Sequence, residues 1–125
     1  MRILLDTHIY LWFVKDDRRL SKQARITIEE ATAVYVSSAS IWEAAIKIKL
    51  GKLEGIVEEL IQTIDESGFE SLPITLAHVA QVHTLPDVHR DPFDRILLAQ
   101  ATSEPLRLLT SDELLASYSS LVDVV

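Results

Sequence analysis

Short apolar runs alternate with helix-like patterns along the whole of this 125-residue chain. The run Ile3-Leu4-Leu5 is fully apolar, which is typical of a strand that is buried on both faces of a parallel sheet. Residues 33–36 are β-branched and aromatic, and a helical pattern follows each of these runs. Strands that alternate with helices are joined by right-handed crossovers, so the sequence predicts an α/β fold with helices on both faces of a parallel sheet.

Five strands are predicted, at residues 3–5, 33–36, 69–74, 106–110 and 121–125. Pro73 interrupts the third run, so we expect that strand at an edge of the sheet. Residues 46–50 alternate like a strand, but Gly51 suits a helix C-cap and alanines precede the run, which favours a helix over residues 40–50. The sequence contains no repeat or linker. We therefore expect one domain over residues 1–125.

Composition excludes several classes of protein. The chain has no cysteine, which excludes a disulfide scaffold and a thiolate nucleophile, and its net charge of −7 argues against a protein that coats nucleic acid. No apolar stretch approaches the roughly 20 residues that cross a bilayer. Asp6 follows only three apolar residues, too early for a signal-peptide core, so we expect a cytoplasmic protein.

Four acidic residues lie where a predicted strand meets a helix: Asp6, Glu43, Asp94 and Asp112. Asp6 and Asp112 end the first and fourth strands, which flank the ligand-binding switch point of a doubly wound sheet. Two carboxylates about 4 Å apart repel by roughly 4 kcal/mol at an effective dielectric constant near 20, so such a cluster takes up protons or binds a cation. Oxygen ligands without cysteine suit Mg²⁺ or Mn²⁺, which points to metal-dependent cleavage of phosphodiester bonds.

Each of these acids also has a structural explanation. The spacing Ser40-Ile41-Trp42-Glu43 is that of a capping box, and Thr110-Ser111-Asp112-Glu113 resembles a capped helix start. In Asp91-Pro92-Phe93-Asp94, Asp91 precedes a proline at the first helical position, so we assign Asp91 to the N-cap and Asp94 to the metal. Capping is the stronger explanation for Glu43 and Asp112 taken singly, whereas the four acids together favour a metal site.

Neighbouring residues have weaker functional signals. Thr7 and Thr110 each adjoin a predicted ligand and are candidates to orient it, although such residues are common at helix starts. His8 is not expected to bind magnesium. Arg95 is expected in a salt bridge rather than on a phosphate, and His89 near the Asp91 cap. Trp12 and Trp42 are expected in the core or an interface, and the basic groups are expected on solvated helix faces: Lys15, Arg18, Arg19, Lys22 and Arg25; Lys47, Lys49 and Lys52; Arg90 and Arg95.

The chain resembles the PIN-domain family, in particular the VapC-like toxin ribonucleases of type II toxin–antitoxin pairs. The matching stretches are Leu4-Leu5-Asp6-Thr7-His8, Ser40-Ile41-Trp42-Glu43, His89-Arg90-Asp91-Pro92-Phe93-Asp94-Arg95-Ile96-Leu97-Leu98-Ala99-Gln100-Ala101 and Leu109-Thr110-Ser111-Asp112. The resemblance implies a five-stranded parallel sheet in the order 3-2-1-4-5 and a Mg²⁺- or Mn²⁺-dependent endoribonuclease. It implies an antitoxin partner that blocks the site, and a catalytic and metal-binding role for Asp6, Glu43, Asp94 and Asp112.

Two further expectations concern function and assembly. A metal-binding module of this fold that mainly binds a partner is the alternative to a nuclease. A phospho-acceptor receiver domain is excluded, because Pro73-Ile74-Thr75 offers no acceptor aspartate at the third strand end. An apolar stripe on residues 56–64, with Trp12 and Trp42, predicts a homodimer as well as an antitoxin complex.

Overall fold

The computed structural model describes residues 1–86 and 91–125, so the expectations for His89 and Arg90 lie outside the described residues. The strands are Arg2–Leu5 (β1), Ala33–Ser37 (β2), Glu70–Leu72 (β3), Arg107–Thr110 (β4) and Val122–Val124 (β5). The helices are Thr7–Val14 (α1), Lys22–Glu30 (α2), Ser38–Lys49 (α3), Val57–Glu66 (α4), Leu76–Val82 (α5) and Pro92–Ser103 (α6), and a short 3-10 helix spans Glu113–Ser117. No helix in these two described ranges is long and apolar enough to cross a membrane.

The five strands form one parallel sheet in the order β3-β2-β1-β4-β5. The predicted strand order is therefore confirmed. β3, which Pro73 follows directly, lies at an edge of the sheet as expected. β1 lies in the centre, where Leu5 is opposite Val36 on one side and Leu109 on the other. The carboxyl ends of β1 and β4 consequently lie side by side, which positions Asp6 next to Thr110.

Apolar residues pack on both faces of the sheet, as the apolar run of β1 predicts. Ile3 and Leu5 belong to one core cluster, which includes Ile9 and Tyr10 from α1. Leu4 belongs to the other, which includes Leu97 from α6. Successive side chains of a strand point to opposite faces, so a fully apolar strand requires a helical layer on each side.

Helix α3 begins earlier than predicted. It starts at Ser38 rather than at residue 40, because the Ser37 side chain at the end of β2 accepts a hydrogen bond from the Ala39 amide at 3.0 Å and caps the helix. Glu43 therefore lies in the second turn, and the capping-box interpretation of Ser40 and Glu43 is wrong. β2 passes directly into α3, so the first available serine serves as the cap.

Candidate active site

Asp6 is the most constrained acid of the predicted site. It ends β1 and caps α1, where its Oδ1 accepts a hydrogen bond from the Ile9 amide at 2.9 Å and its Oδ2 accepts one from the Thr110 hydroxyl. Its side chain is buried, and only 4% of the residue surface is exposed. Burial raises the pKa of Asp6 above its ordinary value, although the hydrogen bonds from Ile9 and Thr110 act to lower it. A buried carboxylate of this kind is stabilised either by a proton or by a nearby cation.

Thr110 joins two of the predicted ligands. Its hydroxyl donates to Asp6 and accepts a hydrogen bond from the Asp112 amide at 3.0 Å. Asp112 in turn caps the 3-10 helix, since its Oδ1 accepts from the Leu114 amide at 3.0 Å. The capping role that the sequence offered for Asp112 is therefore present in the structure. The Thr110 hydroxyl, expected to orient the adjoining Asp112, instead bonds the Asp6 carboxylate and only the backbone amide of Asp112.

Glu43 lies on the buried side of α3 and is paired with a base. Its Oε2 lies 3.1 Å from the Lys47 Nζ, one helical turn further on. Only 8% of the Glu43 surface is exposed. The amino end of α3 is joined to α1 by a buried hydrogen bond from the Thr7 hydroxyl to the Ser40 hydroxyl, at 3.1 Å. Thr7 thus orients the helix that carries Glu43 and does so through Ser40, a residue that sequence reasoning had considered only as a cap.

Asp91 and Asp94 open α6 in different roles. Asp91 is the N-cap, as predicted, because its Oδ1 accepts hydrogen bonds from the Phe93 amide at 2.8 Å and the Asp94 amide at 3.2 Å. Asp94 lies half-buried in the first helical turn. The negative charge of Asp94 acts to raise the pKa of Asp6, so these two acids, which are remote in the sequence, lie near each other.

Arg95 and the tryptophans make contacts that the sequence did not specify. The Arg95 guanidinium donates hydrogen bonds to the backbone carbonyls of Pro86 at 2.8 Å and Val82 at 3.3 Å, so it joins α6 to the carboxyl end of α5. Trp42 is 58% exposed, so of its two expected locations, the core or an interface, the structure excludes the core. Trp12 is half-buried, with the Arg19 guanidinium carbon 5.3 Å from its ring centre. The pairing of Glu43 with Lys47 was missed, although it could have been expected because the two residues are four positions apart on a predicted helix.

The structure places Asp94 near Asp6 and joins Asp112 to Asp6 through Thr110, without assembling a complete chelate in the described residues. In residues 1–86 and 91–125, no three His, Cys, Asp or Glu side chains are grouped so that they could hold a metal ion. Asp6 and Asp94 interact, whereas Glu43 is paired with Lys47, and one Asp112 oxygen serves as a helix cap. Oxygen donors beside a buried carboxylate fit a hard divalent cation, which would counteract the cost of burying Asp6.

The chain belongs to the PIN domain family, since a family model described as PIN domain matches residues 3–121. Among curated proteins, it is 30% identical over 119 residues to Ribonuclease VapC22 of Mycobacterium tuberculosis (strain ATCC 25618 / H37Rv), a match that covers 93% of this chain and 91% of the relative. The resemblance to VapC-like PIN domains is therefore confirmed.

Two solved structures share the fold. The first is the crystal structure of VapBC2 from Rickettsia felis bound to a DNA fragment from their promoter, with a TM-score of 0.74 and 14% identity over 100% of this chain and 99% of that one. The second is a toxin–antitoxin complex from Klebsiella pneumoniae, with a TM-score of 0.69 and 20% identity over 98% of this chain and 96% of that one. At 14% and 20% identity, these two structures show that the fold is shared and nothing more.

Proposed function

We propose that this protein is a metal-dependent endoribonuclease that acts as the toxin of a toxin–antitoxin pair. The observation that carries the proposal is the buried Asp6 carboxylate at the centre of the carboxyl edge of the sheet, with Thr110 bonded to it and the charge of Asp94 beside it. A buried acid with a raised pKa and a charged neighbour is typical of a functional site. The similarity to a protein named as a ribonuclease supports RNA as the substrate.

In this proposal Asp6, Glu43, Asp94 and Asp112 hold Mg²⁺ or Mn²⁺. When bound, the ion would neutralise charge on the phosphate and acidify a water molecule for attack. The chain's own contribution is to fix the oxygens: the Ile9 amide and the Thr110 hydroxyl hold those of Asp6. Without metal, Lys47 neutralises Glu43 and lowers the repulsion among the acids.

Substitution of the two aspartates that open α6 tests these assignments. Asp94→Asn, like Asp6→Asn, should abolish Mg²⁺- or Mn²⁺-dependent cleavage of RNA. Asp91→Asn is the matched control and should retain much of the activity, because asparagine also accepts hydrogen bonds at a helix N-cap. An inactive Asp91→Asn protein beside a fully active Asp94→Asn protein would reverse the two roles.

A second candidate function is that of a catalytically weak metal-binding PIN module whose main task is to bind a partner. It is favoured by the apolar groove beside the exposed Trp42 and Ile61, a surface suited to a protein partner. Cleavage assays distinguish the two candidates: turnover above that of the Asp94→Asn background supports the nuclease, and turnover equal to that background supports the module.

We also propose that the domain of residues 1–125 works in the cytoplasm as a homodimer and binds a small antitoxin that blocks the acidic site. The structural neighbours described as VapBC2 and as a toxin–antitoxin complex support a protein partner. Apolar side chains remain uncovered, including Trp42 at 58% and Ile61 at 51% exposure, beside a groove of about 470 Å³. Light scattering tests self-association, and a strictly monomeric mass at high protein concentration would contradict the dimer.

A further inference from the structure

A small basic pocket lies between α1 and the carboxyl end of α3. It has a volume of about 220 Å³, and four of its lining residues are cationic, namely Lys15, Arg19, Lys47 and Lys52. Trp12 also contributes to its wall. Two of the sequence groups that were expected to be separate solvated helix faces are therefore brought together by the fold. A local concentration of positive charge contrasts with the net charge of −7 on the whole chain.

Two of the four cations carry their own counterions. The Arg19 guanidinium donates to both carboxylate oxygens of Asp17, at 2.8 and 3.2 Å. Lys47 is paired with Glu43 at 3.1 Å. Lys15 and Lys52 are exposed, and the structure gives neither an ion-pair partner within residues 1–86 and 91–125. These two ammonium groups are the pocket's cations without an ion pair in the described residues, although the Lys15 charge acts on Asp17 at longer range.

The pocket adjoins the candidate active site on two sides. His8, which lines it, lies in the first turn of α1, two residues after Asp6. Lys47 contributes to the pocket wall while its ammonium group contacts Glu43. A ligand in the pocket would therefore lie beside the acids.

We infer that this pocket binds the sugar–phosphate backbone of a single-stranded RNA segment next to the bond that is cut, an inference that rests on the proposed function. Lys15 and Lys52 attract phosphates without reading the sequence. The Arg19 guanidinium lies over the Trp12 ring, 5.3 Å from its centre, which holds a third cation at the pocket wall. At roughly 30 Å³ for each water molecule, the volume equals that of about seven waters, which is room for a phosphate and its ribose.

Binding of RNA under conditions that prevent cleavage tests the inference. The probe is a short fluorescein-labelled single-stranded RNA of mixed sequence, titrated by fluorescence anisotropy in EDTA over a series of NaCl concentrations. The test variant is Lys15→Gln/Lys52→Gln. The control is Lys22→Gln/Lys49→Gln, which changes the net charge equally at two exposed lysines outside the pocket lining.

Loss of two phosphate contacts should weaken binding and reduce the slope of log K against log salt concentration by about 1.4, at roughly 0.7 for each contact with a single strand. The control should leave most of the slope unchanged, and Lys15→Arg/Lys52→Arg should restore it because the charge is kept. An equal loss of slope in the pocket and control variants would overturn the inference. So would salt-independent binding or no binding by the unmodified protein.

Two further measurements separate this inference from the proposed function and from a protein ligand. Mn²⁺-dependent cleavage with an unchanged KM in the Lys15→Gln/Lys52→Gln protein would overturn the pocket and leave the nuclease intact. Pocket-dependent RNA binding by a protein without turnover would support the pocket and refute the nuclease. If a poly-glutamate peptide loses affinity in that variant while RNA does not, the pocket binds an acidic protein segment and the inference is wrong.

Discussion

Replacement of Thr110 by valine should reveal how strongly the fold depends on the hydroxyl that holds Asp6. Thr110 is fully buried at the end of β4, and its hydroxyl donates to the Asp6 carboxylate and accepts from the Asp112 amide. Valine keeps the shape and removes both hydrogen bonds. A hydrogen bond to a charged group contributes about 1.5–3 kcal/mol and a neutral one about 0.5–1.5 kcal/mol. We expect Thr110→Val to lower the free energy of unfolding by about 2–4.5 kcal/mol at neutral pH.

The loss should depend on pH because part of it comes from the charge on Asp6. The hydrogen bond from Thr110 is one of the causes that lower the pKa of Asp6, so its removal should raise that pKa further. When Asp6 is protonated, valine removes only neutral hydrogen bonds. The loss of unfolding free energy should then be smaller in acid than at neutral pH, by about 1 kcal/mol.

Urea denaturation followed by circular dichroism, in EDTA and at acid and neutral pH, measures both quantities. Thr110→Ser is the matched control: it keeps the hydroxyl and loses one methyl group, which should cost only about 0.8 kcal/mol. A serine variant as unstable as the valine variant would show that packing, and not the hydrogen bond, accounts for the loss. A loss in Thr110→Val that is equal at the two pH values would refute the proposed charge-dependent contact with Asp6.

Three other perturbations have defined outcomes. Asp94→Asn should raise the melting temperature in EDTA, because it removes a charge that repels Asp6. It should also reduce the stabilisation by Mn²⁺, which is about 2.7 kcal/mol at a hundredfold excess over Kd. A lower melting temperature with an unchanged Mn²⁺ shift would mean that Asp94 is not a ligand. Because the pKa of Asp6 is raised in the folded state, its contribution to stability is fully present below the unfolded pKa, about 3.9, and is lost as pH rises through the higher folded pKa. Urea titrations of the metal-free protein should show this fall in unfolding free energy with rising pH, and Asp6→Asn should flatten it. Tyr10→Phe removes the buried hydrogen bond from the phenol to the Leu60 carbonyl, 2.6 Å long, and should lower the free energy of unfolding by about 0.5–1.5 kcal/mol in urea, whereas an unchanged value would show that this link between α1 and α4 is not stabilising.

Sequence reasoning succeeded where local patterns determine structure. The fully apolar run of β1 required cover on both faces, and Pro73 near β3 indicated an edge strand. The cap at Asp91 was also readable, because a capping side chain bonds to amides only two or three residues away. The resemblance supplied the strand order, which periodicity alone does not determine.

The boundaries of α3 were misjudged for a reason that is also local. Three serines, at positions 37, 38 and 40, compete to cap the helix that follows β2, and each is chemically suitable. Ser37 serves as the cap because β2 passes directly into α3, so Glu43 moves into the second turn and pairs with Lys47. That choice depends on where the strand ends, which pairing with β1 and β3 decides.

The sequence by itself determined that this is a parallel α/β domain whose strand ends carry acids. Only the tertiary structure decided which remote groups those acids meet: the Thr110 hydroxyl bonds the Asp6 carboxylate, and Asp94 lies close enough to raise the pKa of Asp6. The tertiary structure also decided that Lys15 and Lys52 line one pocket. Helical and strand periods reflect contacts within a few residues, whereas these pairings depend on distances between elements that are remote along the chain, and no local pattern encodes such distances.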